Sequence, residues 1–133
     1  MIISTRGRYA LRVLIDLAEQ GGEKYITMKE IAQRQEISLK YLERIVPVLT
    51  KNNLLEGVHG KGGGYRLSRK PIEYKIGEVL RLTEGNLAPV AFLECNAEVC
   101  KRAAECRTLD MWKNLHNILN DYFDNITLAD LMR

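Results

Sequence analysis

The sequence is poor in cysteine. It has three among 133 residues, and Cys95, Cys100 and Cys106 all fall within one polar stretch, CNAEVCKRAAEC. An odd, clustered set cannot all pair within one chain, which speaks against a disulfide framework. No run approaches the roughly 18 unbroken apolar residues that a membrane span needs. The opening MIISTRGRYALRV has arginines where a signal peptide would have an apolar stretch. A cytoplasmic setting, with thiols kept reduced and no membrane partner, is expected. Repeats and low-complexity tracts are absent. No acid–base or nucleophile constellation stands out either, because Asp16, Glu19 and the two histidines are scattered over different segments. Neither an enzyme nor a small-molecule substrate is expected. What remains, 46% hydrophobic and 28% charged residues, is the composition of a folded globular chain.

The charge that is present is unevenly placed. Residues 1–75 hold 14 Lys/Arg against 8 Asp/Glu, whereas residues 76–133 hold 6 against 9. The basic part suits a polyanionic partner, and the acidic part should stay away from one.

Ala10, Val13, Leu14, Leu17 and Ala18 recur at helical spacing, with Ser4 or Thr5 able to cap the start and Gly21-Gly22 to end it. Thr27-Met-Lys-Glu30 is a capping box that predicts a short helix over 28–35. After the tight connection Gln35-Glu-Ile37, Ser38 caps another helix with Leu42, Ile45, Val46 and Leu49 facing inward. Two short helices so joined form a helix-turn-helix. Pro47 should bend the second without breaking it. Two strand-like runs, Leu54–Val58 and Tyr65–Ser68, flank His59-Gly-Lys-Gly-Gly-Gly64 and predict a β-hairpin. A hairpin in that place is a wing. A helix over 76–83 stops at Gly85. Thr108 can cap a long helix to about Phe123, apolar on two faces and so wanting two partners, this chain and a second protomer. Thr127 starts a last turn through Leu131. The fold class is mostly α with a small β-hairpin, arranged as a winged helix-turn-helix (1–85), a cysteine-bearing loop (86–107) and a C-terminal dimerisation part (108–133).

In a helix-turn-helix the N-terminal residues of the second helix meet base edges in the major groove. Here these are Ser38, Lys40, Tyr41, Glu43 and Arg44. Lys40 or Arg44 can donate to guanine and Glu43 can accept from cytosine, while Ser38 and Tyr41 suit phosphate oxygens. The glycine run is not the phosphate cradle of an NTPase, which needs Gly-Lys-Ser/Thr followed by a helix. As a wing tip it lets the backbone turn sharply and approach DNA closely at Gly62 and Gly63, with His59 and Lys61 reaching outward.

If residues 95–106 formed one helix, Cys95 and Cys106 would lie about 20° apart and Cys100 roughly 140° away, at about 100° per residue. Three thiols binding one centre therefore require an irregular segment. Structural zinc usually brings two Cys-x-x-Cys knuckles or closely spaced histidines, and neither is present. Iron–sulfur clusters accept wider thiolate spacing and a non-cysteine ligand. Lys101, Arg102 and Arg107 would lower thiol pKa values, which suits a cluster and a redox-active thiol alike.

With these motifs in place, the chain resembles, nearly end to end, the bacterial winged-helix regulators that include IscR, NsrR and CymR. STRGRYALRVLIDLA, ISLKYLERIVPVL, HGKGGGYRLS, the three cysteines, Trp112 and NITLADLM carry the likeness. The resemblance implies a homodimer built on crossed C-terminal helices, binding palindromic double-stranded DNA. It also implies an iron–sulfur cluster on Cys95, Cys100 and Cys106, since CymR-like members lack these thiols. Thr5-Arg-Gly-Arg8-Tyr9 is similar to IscR-like starts and suggests a 2Fe–2S centre, whereas NsrR-like members place an acidic ligand where Arg8 stands. Three positions depart from the IscR-like pattern. Leu109 replaces the usual histidine ligand, which leaves 4Fe–4S open and the fourth ligand among Asp110, Glu105, Glu98, Glu94, His116 or an external thiol. The cysteine spacing is one residue short. His59 stands where an arginine is common on the wing. Glu43, by resemblance a residue that penalises one class of DNA site unless the cluster is bound, is retained. Two other readings stay open: a cluster-free thiol switch acting as a DNA-binding repressor, and a protein-interaction winged helix.

Overall fold

The computed structural model describes residues 3–93 and 104–133. Six helices and one hairpin follow in the order α1 (Thr5–Gln20), α2 (Met28–Gln35), α3 (Leu39–Lys51), β1 (Leu55–Val58), β2 (Gly64–Leu67), α4 (Ile76–Glu84), α5 (Leu109–Asp124) and α6 (Leu128–Leu131).

The periodic apolar positions are the core. Ala10, Val13, Leu14 and Leu17 of α1 pack with Ile31 of α2 and Leu42, Ile45, Val46 and Leu49 of α3, all essentially excluded from solvent. Each helix thus buries one stripe and leaves its polar face outside. Helix α3 continues through Pro47, with no break, to Lys51. Helix α4 runs one residue past its expected end, to Glu84. A second cluster of Ile76, Leu80 and Leu87 receives Phe123 of α5, and Leu128 of α6 returns to the main core.

Several helix starts behave as their sequences predict. The Thr27 hydroxyl accepts from the Glu30 amide at 3.1 Å while the Glu30 carboxylate accepts from the Thr27 amide at 2.8 Å. Those bonds favour the charged form and hold Glu30 below its ordinary pKa, the Thr27 backbone bond contributing most. The Thr127 and Asp130 pair builds the same box on α6. Ser4 behaves differently. It occupies the N-cap of α1, but its side chain makes no cap bond. Both its amide and its hydroxyl donate instead to Glu84 Oε1, at 3.0 and 2.7 Å, from the end of α4. Thr108 likewise stands at the start of α5 without a side-chain cap.

Between α1 and α2 lies a buried charge. Asp16, 2% exposed, accepts two bonds from the Arg34 guanidinium at 2.9 and 2.8 Å and one from the Gln35 amide at 3.0 Å. The Arg34 guanidinium is held above its ordinary pKa by that bidentate bond to Asp16. Arg12 donates to both the side chain and the backbone carbonyl of Gln35. The first two helices are therefore locked by a fully satisfied polar network as well as by packing.

Candidate nucleic-acid interface and cysteine segment

Helix α2 ends at Gln35. Glu36 then takes a left-handed conformation (φ 53°), Ile37 plugs the core, and Ser38 caps α3 by accepting from the Tyr41 amide at 3.1 Å. With Leu42, Ile45, Val46 and Leu49 committed inward, Ser38, Lys40, Glu43 and Arg44 are left exposed on α3. Tyr41 is only half-exposed, because its ring meets Tyr9 of α1 edge-on with centroids 5.3 Å apart. Four of the five residues expected to face DNA from this helix thus lie open, and the fifth is braced at its edge.

Strands β1 and β2 pair antiparallel in the register Leu55↔Leu67, Glu56↔Arg66, Gly57↔Tyr65 and Val58↔Gly64. Ile26, just before α2, exchanges backbone bonds with Tyr65 at 2.8 and 2.7 Å, so the hairpin is tied to the helix-turn-helix. At its tip His59, Lys61 and Gly62 are exposed and Gly63 is half-exposed. Gly62 has φ +80°, and a Cβ on Gly63 would run into the Val58 carbonyl, so the turn admits no side chain at Gly63 without moving. Where α3 ends against the wing, Pro47, Lys51, Val58, His59 and Tyr65 help to line a cleft of about 370 Å³. Lys51 joins His59 there only through the fold, and the sequence offered no signal for it.

The ion pairs among the described residues are Arg34–Asp16, Arg66–Glu56, Arg69–Glu78 and Arg81–Asp124. Lys40, Arg44, Lys51 and Lys61 are in none of them. These four cations of α3 and the wing are therefore without an ion-pair partner among the described residues. A second cavity, of about 190 Å³, lies between α1 and α3 and is lined by Arg6, Tyr41, Arg44, Ile45 and Val48. Arg6 is another residue that the sequence did not single out. A third, of about 500 Å³, mixes Glu23, Glu56 and Glu73 with Arg66, Arg69 and Lys70, and its Ser68 hydroxyl donates to the Asn53 carbonyl at 2.6 Å.

Cys95 and Cys100 lie outside the described residues, as do Glu94 and Glu98. Cys106 is half-buried in the non-helical stretch before α5, with its Sγ 3.4 Å from Thr108 Oγ1. No group of three metal-binding side chains forms among the described residues. The donor set itself fits an iron–sulfur centre, since three thiols share one short segment and the one described is not in a helix. Of the other candidate ligands, Glu105 and Asp110 are exposed. His116 lies beside Asn120, whose Oδ1 accepts from Arg81 at 2.8 Å.

Helix α5 has no buried residue. Trp112, Leu119 and Phe123 are half-covered, whereas Met111 (52%), Leu115 (37%), Ile118 (63%) and Tyr122 (62%) form an open stripe. Their 4-3-4 spacing is the seam of a helix pair. The other side of α5 is held to α4 by Arg81, which donates to Asn120 and to Asp124 at 2.8 and 2.5 Å.

Comparison with known proteins agrees with this geometry. Residues 3–133 match the family described as Rrf2, iron-dependent transcriptional regulator. The protein rrf2 of Nitratidesulfovibrio vulgaris Hildenborough is 40% identical over 135 residues, covering 100% of this chain and 88% of the relative. The regulator IscR of Aliivibrio salmonicida is 35% identical, covering 99% and 77%. Among solved structures, CymR, the global cysteine regulator of B. subtilis, superposes with a TM-score of 0.81 at 33% identity over 98% of this chain and 95% of its own.

Proposed function

The chain belongs to the Rrf2 family of transcriptional regulators, and on that premise we propose that it is a homodimer whose grip on a palindromic DNA operator depends on an iron–sulfur cluster, so that it senses cluster supply. The observation that carries this reading is the confinement of all three cysteines to the segment joining α4 to α5. That segment sits between the part that faces DNA and the part with the open apolar stripe.

In this reading residues 1–85 grip DNA, 86–107 hold the cluster and 108–133 pair the protomers. Cys95, Cys100 and Cys106 are the thiolate ligands, in a 2Fe–2S or 4Fe–4S arrangement with a fourth ligand from elsewhere. When bound, the cluster supplies an oxygen- and redox-sensitive centre whose presence is the signal. Lys40 and Glu43 face base edges, Ser38 and Tyr41 face phosphates, and His59, Lys61 and the backbone at Gly62 and Gly63 approach the duplex from the wing. Leu87 and Ala88 anchor the segment in the core just after α4, and the Glu84 carboxylate holds the start of α1. Ordering the segment can therefore bias how α1 and α3 sit, provided the cluster favours one arrangement over the other.

Anaerobic purification followed by a visible spectrum and iron and acid-labile sulfide assays tests this. The expected outcome is coloured protein whose chromophore needs all three cysteines. A protein that stays colourless after reconstitution would overturn the cluster reading. Redox-dependent DNA binding that needs only two of the three cysteines, and survives serine replacement of the other, would then favour the thiol switch.

A further inference from the structure

We propose that Arg6, Tyr41 and Arg44 form a seat for one phosphodiester group of duplex DNA, a contact made jointly by α1 and the recognition helix. It rests on the DNA-binding reading above and adds α1 to the interface. The cavity of about 190 Å³ is lined by two arginines and a tyrosine, Arg6, Arg44 and Tyr41, together with Ile45 and Val48. No carboxylate lines it, and neither arginine has an ion-pair partner among the described residues. Two cationic residues lining one space without a counterion favour an anion there.

The surroundings fix the seat before any ligand arrives. The Tyr41 ring is held edge-on against Tyr9, whose face in turn carries the Arg12 guanidinium 5.2 Å from the ring centroid. Ile45, 1% exposed, closes the floor. Arg6 Nη1 makes one long bond, 3.4 Å, to the Thr83 carbonyl. The remaining donors of its five N–H groups are left for a planar, two-pronged anion contact. The start of α1 is not itself the anion site, because the Glu84 carboxylate already occupies it through Ser4.

The location selects a phosphodiester. Arg44 follows Lys40 by one helical turn, towards the C-terminal part of the recognition helix and away from the N-terminal residues that meet base edges. The cavity sets it beside Arg6 of α1, which is not part of the helix-turn-helix and so meets the backbone that borders the groove. Arg44 then reads backbone, leaving Lys40 as the base-edge donor of α3. Substituting Arg44 should accordingly weaken binding to all sequences alike, whereas substituting Lys40 should relax specificity.

The test uses a duplex enriched from a random-sequence pool by the full-length wild-type protein, so failure of any duplex to enrich counts against DNA binding itself and not against this seat. Arg6→Gln should weaken both enriched and random duplexes about tenfold and lower the salt slope of log K by about one, and Arg6→Lys should restore the slope. A scan of neutral methylphosphonate linkages supplies a readout that misfolding would not mimic. One linkage per half-site should impair wild-type binding and have no further effect on Arg6→Gln. An unchanged salt slope, or an Arg6→Gln protein with the full wild-type methylphosphonate profile, would overturn the seat.

Discussion

The phenolic hydroxyl of Tyr74 donates to the backbone carbonyl of Leu54 at 2.6 Å, deep in the core and across 20 residues of chain. The same oxygen accepts from the amides of Ser68 and Arg69 at 3.0 and 3.2 Å. One side chain thus fastens the residue that enters the wing to the two that leave it.

Tyr74→Phe keeps the ring's packing and removes only that oxygen. It leaves the Arg69 amide without its partner and weakens the hold on Leu54, so a loss of about 1–3 kcal/mol is expected in urea unfolding. A variant as stable as wild type would show that solvent satisfies these groups.

Asp16 makes a harsher case. Asp16→Ala strands Arg34 and Gln35 at the junction of α1 and α2, and breaking such a pair costs about 3 kcal/mol. Arg34 is 33% exposed and can partly rehydrate, which places the loss at the low end of that class. The double change Asp16→Leu with Arg34→Met should recover most of it in chemical denaturation.

The stripe on α5 predicts assembly. Covering a large apolar side chain is worth about 1.5–3 kcal/mol, and a two-fold pairing would set the same stripe of each protomer against the other. Ile118→Glu should yield monomers by sedimentation at concentrations where the wild type is dimeric, with operator affinity falling at least about 100-fold because half-sites then bind singly. A dimer that survives this change places the interface elsewhere.

Acid sensitivity follows from Glu78. Two donors of Arg69, at 2.8 and 3.1 Å, hold its carboxyl below the ordinary value of 4.5, their hydrogen bonds outweighing the opposing effect of burial. A carboxyl depressed in the folded state stabilises the fold above its unfolded pKa, and that contribution is lost as pH falls through the folded value. Because Glu78 is 43% exposed, the contribution is only about 0.5 kcal/mol. Glu78→Gln should therefore be slightly less stable than wild type at neutral pH and indistinguishable from it near pH 3, as read by urea midpoints at each pH.

Much of this architecture was legible in the residues because local chemistry decided it. The Thr27–Glu30 and Thr127–Asp130 boxes act within one helical turn, and the apolar period of α1 and α3 states which face is inward. The glycines of the wing tip announce a turn with positive φ at Gly60 and Gly62 and no room for a Cβ at Gly63. The exposed set on α3 followed as the remainder once the buried face was known. What escaped depends on distant partners. Ser4 gives its hydroxyl to Glu84 and not to its own helix, and Thr108 lies against Cys106, so two good capping residues do other things. Asp16 gave no hint that it would be buried, because its partners stand 18 and 19 positions away. Arg6 and Lys51 gain their neighbours only when α1, α3 and the wing come together.

The Ser4–Glu84 joint also bears on how the chain is made. Its halves are separated by 80 residues, so at ribosomal speeds of about 5–20 residues per second the leading turn waits roughly 4 to 16 seconds for its counterpart to be synthesised. During that interval the first helix must rely on the helix-turn-helix and the hairpin, and the emergence of α4 is the moment at which its leading turn is fastened.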